Sequence, residues 1–216
     1  YGLRRNALGI INIIFKNKMN VNIKEIINYS LDTYGNIVKK DKTIVLKDII
    51  EFIKGRVETI LLEQKIRYDI VNAVLSVDFS DIFLTFKKAE ILNILYKGSD
   101  FYKNIVAFSR VINILPKDLA KANIKINEEL FKEEQERKLF NVVKNKENRF
   151  LESMRSQDYK TAFEIICGFS PFIDDFFNHV LVMDENKDIK DNRMALLQYI
   201  NSMFSELADF SKIVIK

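Results

Sequence analysis

Chemistry needs polar side chains brought to one point, and a few stretches of this chain carry the residue types for it. Residues 184–191, DENKDIKD, begin with oxygen ligands at alternate positions, as a calcium loop does. Ile189 occupies the sixth place, where the sharp turn of such a loop requires glycine, and Ala195 stands where a bidentate glutamate closes it. Those two mismatches argue against calcium. Asp174, Asp175 and His179 place the single histidine four or five residues beyond a carboxylate, which is half of a metal site. Two ligands without a third read instead as a helix surface pair. Cys167 lies in the apolar run FEIICGF, where a thiol resists ionising, so it reads as a small packed hydrophobe rather than a nucleophile. The six glycines are scattered singly and none precedes a Lys-Ser or Lys-Thr pair, so no phosphate-cradling loop is present. The chain by itself is expected to hold no catalytic group and no metal.

One polar pattern remains. Lys103, Arg110, Asn113 and Lys117 stand at offsets of 0, 7, 10 and 14 and, at about 100° per residue, share one stripe of a helix. Cations hold phosphates, and an asparagine amide both donates to and accepts from a base edge. A solvated helix face has the same spacing, so the pattern admits both readings. Most of the 17 phenylalanines and 8 tyrosines fall at core positions; Tyr96, Tyr102 and Tyr159 have more polar flanks and are candidates for stacking on unpaired bases.

The elements that must position this stripe are helices. A chain of 216 residues, 48% hydrophobic and 30% charged, has the size of one or two globular domains. Two prolines and six glycines leave few of the turn residues that short-stranded sheets require, while apolar residues recur at helical spacing from end to end. The expected fold is all-α, about nine or ten helices in one bundle or in two joined near residue 120. A lone cysteine permits no intrachain disulfide and no cysteine-rich zinc site, consistent with a reducing cytoplasm. No uncharged apolar run reaches the 18 residues of a membrane span. The start, YGLRRNALGI, has no methionine and enters a helical pattern at once, as expected for a cut inside a longer protein. Residues 1–127 hold 21 Lys/Arg against 13 Asp/Glu, a net of +8, whereas residues 128–216 hold 13 against 17, a net of −4. The basic excess permits RNA contact without demanding it.

Along the chain, helices are expected over Leu3 to Lys16, from a cap at Asn22 to a stop at Gly35, and from Thr43 to Glu63, where Gly55 suggests close packing or a bend. A short helix from Asp69 to Val77 follows, then one from Ser80 to Gly98 and one from Ser99 to Pro116. Residues 116–127 read as a loop and hinge. Asn127 is expected to start a long charged helix with one seam, Leu130, Leu139, Val143, Phe150 and Leu151. Asp158 opens the next, Ser170-Pro171 another, and the last begins near Asp188 or Asp191 and buries Leu196, Leu197, Ile200, Met203, Phe204, Leu207 and Phe210.

Five phrases, in order, resemble one family: LRRNALGIINII (3–14), IKGRVETILLEQKIRYDIVNAVLS (53–76), FSRVINIL (108–115), INEELFKEEQERKLF (126–140) and PFIDDFFNHVLVMDENKDIKDNRMALLQYINSMFSELADFSKI (171–213). Together they are similar to the C-terminal part of the bacterial glycyl-tRNA synthetase beta subunit. The resemblance implies a class II aminoacyl-tRNA synthetase of alpha2beta2 assembly. The alpha subunit would carry the ATP, magnesium and glycine chemistry, and the beta subunit most of the tRNA binding. It further implies a DALR-type helical anticodon-binding domain, expected over residues 78–216, preceded by a helical segment, residues 1–77, continuing from the body of the subunit.

On this resemblance Arg110 and Asn113, in FSRVINIL, are the first candidates for RNA contact, supported by Lys103 and Lys117. Arg193 matches the arginine at the head of the family's closing helix; it is a candidate for RNA contact or for pairing with Asp174 or Asp175. Asp209 and Lys212, in ADFSK, are expected to pack and cap the chain end. The implied function is recognition of a glycine tRNA by its anticodon loop. The alternative is a structural module that braces the alpha–beta assembly and touches RNA only incidentally.

Overall fold

The structure is a computed structural model that describes residues 2–116 and 125–215. Ten α-helices and three short 3-10 segments account for most of them, and among the described residues there is one isolated β-bridge and no strand. Among the described residues no helix is long and apolar enough to cross a membrane. Lys117 and most of the expected hinge lie outside the described residues.

The chain forms two compact units, residues 1–93 and 94–216. The first holds α1 (Gly2–Lys16), α2 (Ile23–Tyr34), α3 (Lys42–Glu63), α4 (Tyr68–Leu75) and nearly all of α5 (Ile82–Leu95). Local chemistry sets the ends. The Asn22 side chain accepts from the N–H groups of Lys24 and Glu25, and the Asp41 side chain from those of Thr43 and Ile44, satisfying donors that a helix start leaves open. Gly35 ends α2 at φ +50°, a left-handed backbone that a side chain opposes. Against α3 pack α1, α2 and α4.

Residues 78–93 are tied into the first unit. The Ile23 N–H donates to the Ser80 carbonyl at 2.8 Å, Lys24 pairs with Asp78 at 2.7 Å, and the Phe15 and Phe86 ring centroids lie 4.6 Å apart. Close packing is not the reason for Gly55, since an added Cβ would meet no atom within 4 Å. Leu3 and Ile10, expected on the buried side of α1, are 79% and 46% exposed; only Ala7, Ile11 and Ile14 of that helix are buried.

The second unit holds α6 (Phe101–Ile114), α7 (Glu134–Arg155), α8 (Tyr159–Cys167), α9 (Ser170–His179) and α10 (Lys187–Leu207), closed by a 3-10 turn at Phe210–Lys212. Here α7 packs on α8, α9 and α10, while α6 packs on α9, α10 and the closing turn. Phe108 of α6 centres an aromatic cluster, with ring centroids 4.4 Å from Phe204, 5.1 Å from Phe210 and 6.4 Å from Phe163. Asp209 caps the closing turn through the Ser211 N–H at 3.1 Å, as expected for the chain end.

Several starts differ from the sequence expectation. Asp81, not Ser80, accepts from the first turn of α5, and α6 begins after Asp100 rather than Ser99. Asn127 caps a 3-10 turn, Glu128–Leu130, and α7 starts only at Glu134, behind a capping box of Glu133 and Glu136. Ser170 lies inside α9, whose N-cap is Phe169. Leu151 is 37% exposed, and the buried seam of α7 runs instead through Glu136, Leu139, Phe140, Val143, Phe150 and Ser153.

Phe204 is fully buried between Phe108 and Phe210, so Phe204→Ala removes a ring that cannot be replaced by collapse of its neighbours. The expected cost is about 3–5 kcal/mol, measured as a lowered urea midpoint by circular dichroism.

Candidate functional site

The polar stripe sits on α6 because the other side of that helix is committed to the core. Phe101, Ile105, Ala107, Phe108 and Val111 are buried, which turns Lys103 and Asn113 to solvent and leaves Arg110 half-exposed. The helix stops at Leu115, whose backbone is extended because Pro116 follows.

Arg110 is not a loose cation. Its Nη1 donates to Asp174 Oδ1 at 3.1 Å, and the guanidinium carbon lies 4.7 Å from the centroid of the Phe177 ring. Asp174 and Phe177 stand three residues apart on α9, so one face of that helix supplies both contacts. The ring holds the guanidinium flat and fixes where its remaining donors point. Both charged side chains are more than a third exposed, so the pair contributes at most about 1 kcal/mol. A phosphate or base edge offering a charge-assisted bond in water-poor contact can compete with it.

Arg193 is placed elsewhere. The residue is 3% exposed, with Nε donating to Glu136 Oε1 at 3.0 Å and Nη2 to Glu136 Oε2 at 3.3 Å. Nη1 donates to Asp184 Oδ2 at 2.7 Å and to the Leu181 carbonyl at 2.9 Å. RNA contact by Arg193 is corrected on that ground: the guanidinium is inside, with each nitrogen engaged. Its partners are Glu136 and Asp184, not Asp174 or Asp175, because Asp174 already faces Arg110. Glu136 Oε2 also accepts the N–H groups of Lys132 and Glu133 at 2.9 and 2.8 Å, so one carboxylate both caps α7 and binds the arginine. Next to Arg193, the buried Asn192 accepts from the Asn127 N–H at 2.7 Å and donates to its carbonyl at 3.0 Å.

The other chemical candidates resolve into structure. His179 Nδ1 lies 3.0 Å from Asp175 Oδ1 and 2.9 Å from the Asp175 carbonyl, a pairing within one helix turn. Asn186, in the would-be calcium loop, caps α10 through the N–H groups of Asp188 and Ile189, and Asp184 is taken by Arg193. Among the described residues no three His, Cys, Asp or Glu side chains gather to hold a metal ion. Burial pushes the Cys167 thiol up to about 12, with Glu164 and Asp100 adding to the effect. Of the stacking candidates, Tyr159 is 2% exposed and belongs to the core; Tyr96 and Tyr102 are half-buried, Tyr102 edge-on to Phe101.

Sequence reasoning placed Arg110 and Asn113 on one outward face and missed the partners that order Arg110. No local signal links Arg110 to Asp174, 64 residues away. Glu136 did leave a trace, since Glu133-x-x-Glu136 ahead of an apolar position has the spacing of a capping box.

Residues 1–76 match the family model described as glycyl-tRNA synthetase beta subunit, and residues 105–213 match the one described as DALR anticodon binding domain. Among curated relatives, the glycine–tRNA ligase beta subunit of Clostridioides difficile (strain 630) is 37% identical over 216 residues, all of this chain and 31% of the relative. The proteins of the same name from Geotalea daltonii and Syntrophus aciditrophicus are 34% and 33% identical, over 99% of this chain and 30% and 31% of their own lengths. The chain thus spans about 31% of the length of the curated relatives it matches.

Arg193→Met leaves the Glu136 carboxylate buried without its charge partner. The expected loss is about 3–5 kcal/mol, read by chemical denaturation, whereas Arg110→Ala, which breaks a solvent-screened pair, changes stability by less than about 1 kcal/mol. Cys167 in the folded chain is expected to alkylate far more slowly at pH 8 than in the denatured chain, because its thiolate is scarce until the pH nears 12; equal rates measured by mass spectrometry would contradict the burial.

Proposed function

Because this chain belongs to the glycyl-tRNA synthetase beta subunit family and carries its DALR anticodon-binding domain, we propose that it holds the anticodon loop of a glycine tRNA. In doing so it supports ATP-dependent glycylation at the active site of a partner alpha subunit. The observation that carries this reading is the agreement between two independent features. The DALR match covers residues 105–213, and the outward stripe of α6, with Arg110 pre-set on Phe177, falls within the same unit.

The proposed role is recognition without chemistry. Glycine codons begin with GG, so the anticodon ends in CC. Unstacked cytosines would present Watson–Crick edges to the Asn113 amide and the Arg110 guanidinium, with Lys103 and Lys117 on the backbone. Gripping the anticodon end positions the acceptor end at the alpha subunit, where ATP, magnesium and glycine would bind in a class II core of an alpha2beta2 assembly. A lone cysteine, which can form no intrachain disulfide, fits a cytoplasmic site of action.

One observation favours the rival reading of a bracing module. Arg110 is already engaged by Asp174, and Arg193 is wholly internal, so two of the candidate cations serve the fold. Binding of a glycine tRNA transcript, and of the same transcript with its anticodon cytosines replaced, separates the readings. Anticodon recognition predicts weaker binding of the altered transcript, and Asn113→Ala is expected to remove about 1–3 kcal/mol of that discrimination with folding unchanged by circular dichroism. Equal binding of both transcripts supports the brace.

A further inference from the structure

Residues 128–216 are net −4 by composition, yet the outward face of α7 is cationic. The positions of its acids account for the difference. Glu136 is buried against Arg193, and Glu133 belongs to the capping box. Glu134, at the first helical position, is paired with Lys138 at 2.9 Å. Glu147 turns toward Tyr199, whose hydroxyl is pushed above its ordinary range by burial and by that carboxylate. Only Glu152 remains as an exposed acid between Arg137 and Arg155.

What stays outside is a line of donors. Arg137, Lys144, Asn148 and Arg155 are all exposed and stand at offsets of 0, 7, 11 and 18, which places them within a strip about 40° wide around the helix. At about 1.5 Å per residue the row is about 27 Å long. Exposed Asn141 and Asn145 flank it. Two of the cations are braced by aromatic rings. Arg137 donates to the Phe131 carbonyl at 3.1 Å and lies 5.8 Å from the Phe131 ring centroid, and Lys144 lies 5.5 Å from that of Phe140. The asparagines face water in the middle of a helix, where they cost propensity and pack nothing.

Such a row suits a partner with negative charge repeated along a line and with many hydrogen-bond acceptors. On one strand of a nucleic acid, phosphates recur nucleotide after nucleotide, so a row of this length runs beside several of them. The α9 helix packs against both α6 and α7, so the row and the α6 stripe lie on two helices of one unit that share α9 as a neighbour. We propose that the outward face of α7 is a second RNA contact, one that grips the sugar-phosphate backbone of the tRNA whatever its sequence. This rests on the reading that the unit binds tRNA, and assigns affinity to α7 where α6 supplies identity.

The test is fluorescence anisotropy over a range of KCl, with the 216-residue chain and the two transcripts named above. The triple variant Arg137→Gln, Lys144→Gln, Arg155→Gln is expected to bind both transcripts about tenfold or more weakly, by the same factor. Its log–log salt slope should be shallower by about 2. Glu152→Gln, which removes the exposed acid and no interior contact, is expected to tighten both. Unchanged affinity and slope in the triple variant, with anticodon discrimination intact, overturn the α7 assignment and leave the anticodon reading standing. A wild-type chain that ignores the anticodon but loses affinity and slope in the triple variant supports α7 and refutes the anticodon reading. Loss of alpha-subunit association with RNA binding untouched makes this face a protein dock and overturns the proposal, as does failure of the wild-type chain to bind either transcript.

Discussion

The second unit depends on one buried cation. Arg193 enters the interior near the start of α10 and meets a carboxylate from α7, a carboxylate from the segment before α10, and the Leu181 carbonyl. Two ion pairs with Arg193 side-chain exposure of 3% are favourable only when every donor and acceptor is satisfied, and here the remaining lone pairs of Glu136 are filled by the N–H groups that open α7. The same carboxylate therefore fixes where α7 begins, how it is rotated and where α10 crosses it. The adjacent Asn192 clamps the backbone of Asn127, so the chain is seated on α10 just before α7 begins.

Rotation of α7 has consequences on both of its sides. With Leu139, Phe140, Val143 and Phe150 inward, its asparagines and most of its cations face water. On the flank, α9 lies against both α6 and α7. From α9, Asp174 and Phe177 reach Arg110, and this changes what that residue is. An arginine at an exposed stripe position would sample many rotamers; one lying on a ring with a carboxylate at its edge presents its free N–H groups in a fixed direction. The weak surface pair costs little to exchange for a ligand, and the ordering has already been met by the fold.

The first unit has a different character. Around a cavity of about 400 Å³ stand Ile10, Ile13, Met19, Ile26 and Tyr34, all substantially exposed, with hardly a polar atom in the lining. Its surface offers packing rather than recognition by charge, in contrast with the second unit, where both candidate contacts are polar.

Much of this is legible in the sequence alone. Helix number and class followed from apolar spacing, and the caps at Asn22 and Asp158 and the stop at Gly35 followed from residue type, because each is decided within a few residues of chain. The outward placement of Lys103 and Asn113 was legible for the same reason. The start of α7, the exposure of Leu151 and the fate of Arg193 were not. A capping box and a buried arginine cooperate through one glutamate 57 residues from its partner, and nothing in local spacing selects Glu136 and Asp184 over Asp174 and Asp175. By itself the sequence determined which segments are helices and which side of each is apolar, since helical periodicity is a local property of the chain. Only the tertiary structure decided which charges are spent inside and which are left for a partner, because the pairing of charges depends on what element is brought opposite, and that is settled by packing across the whole unit.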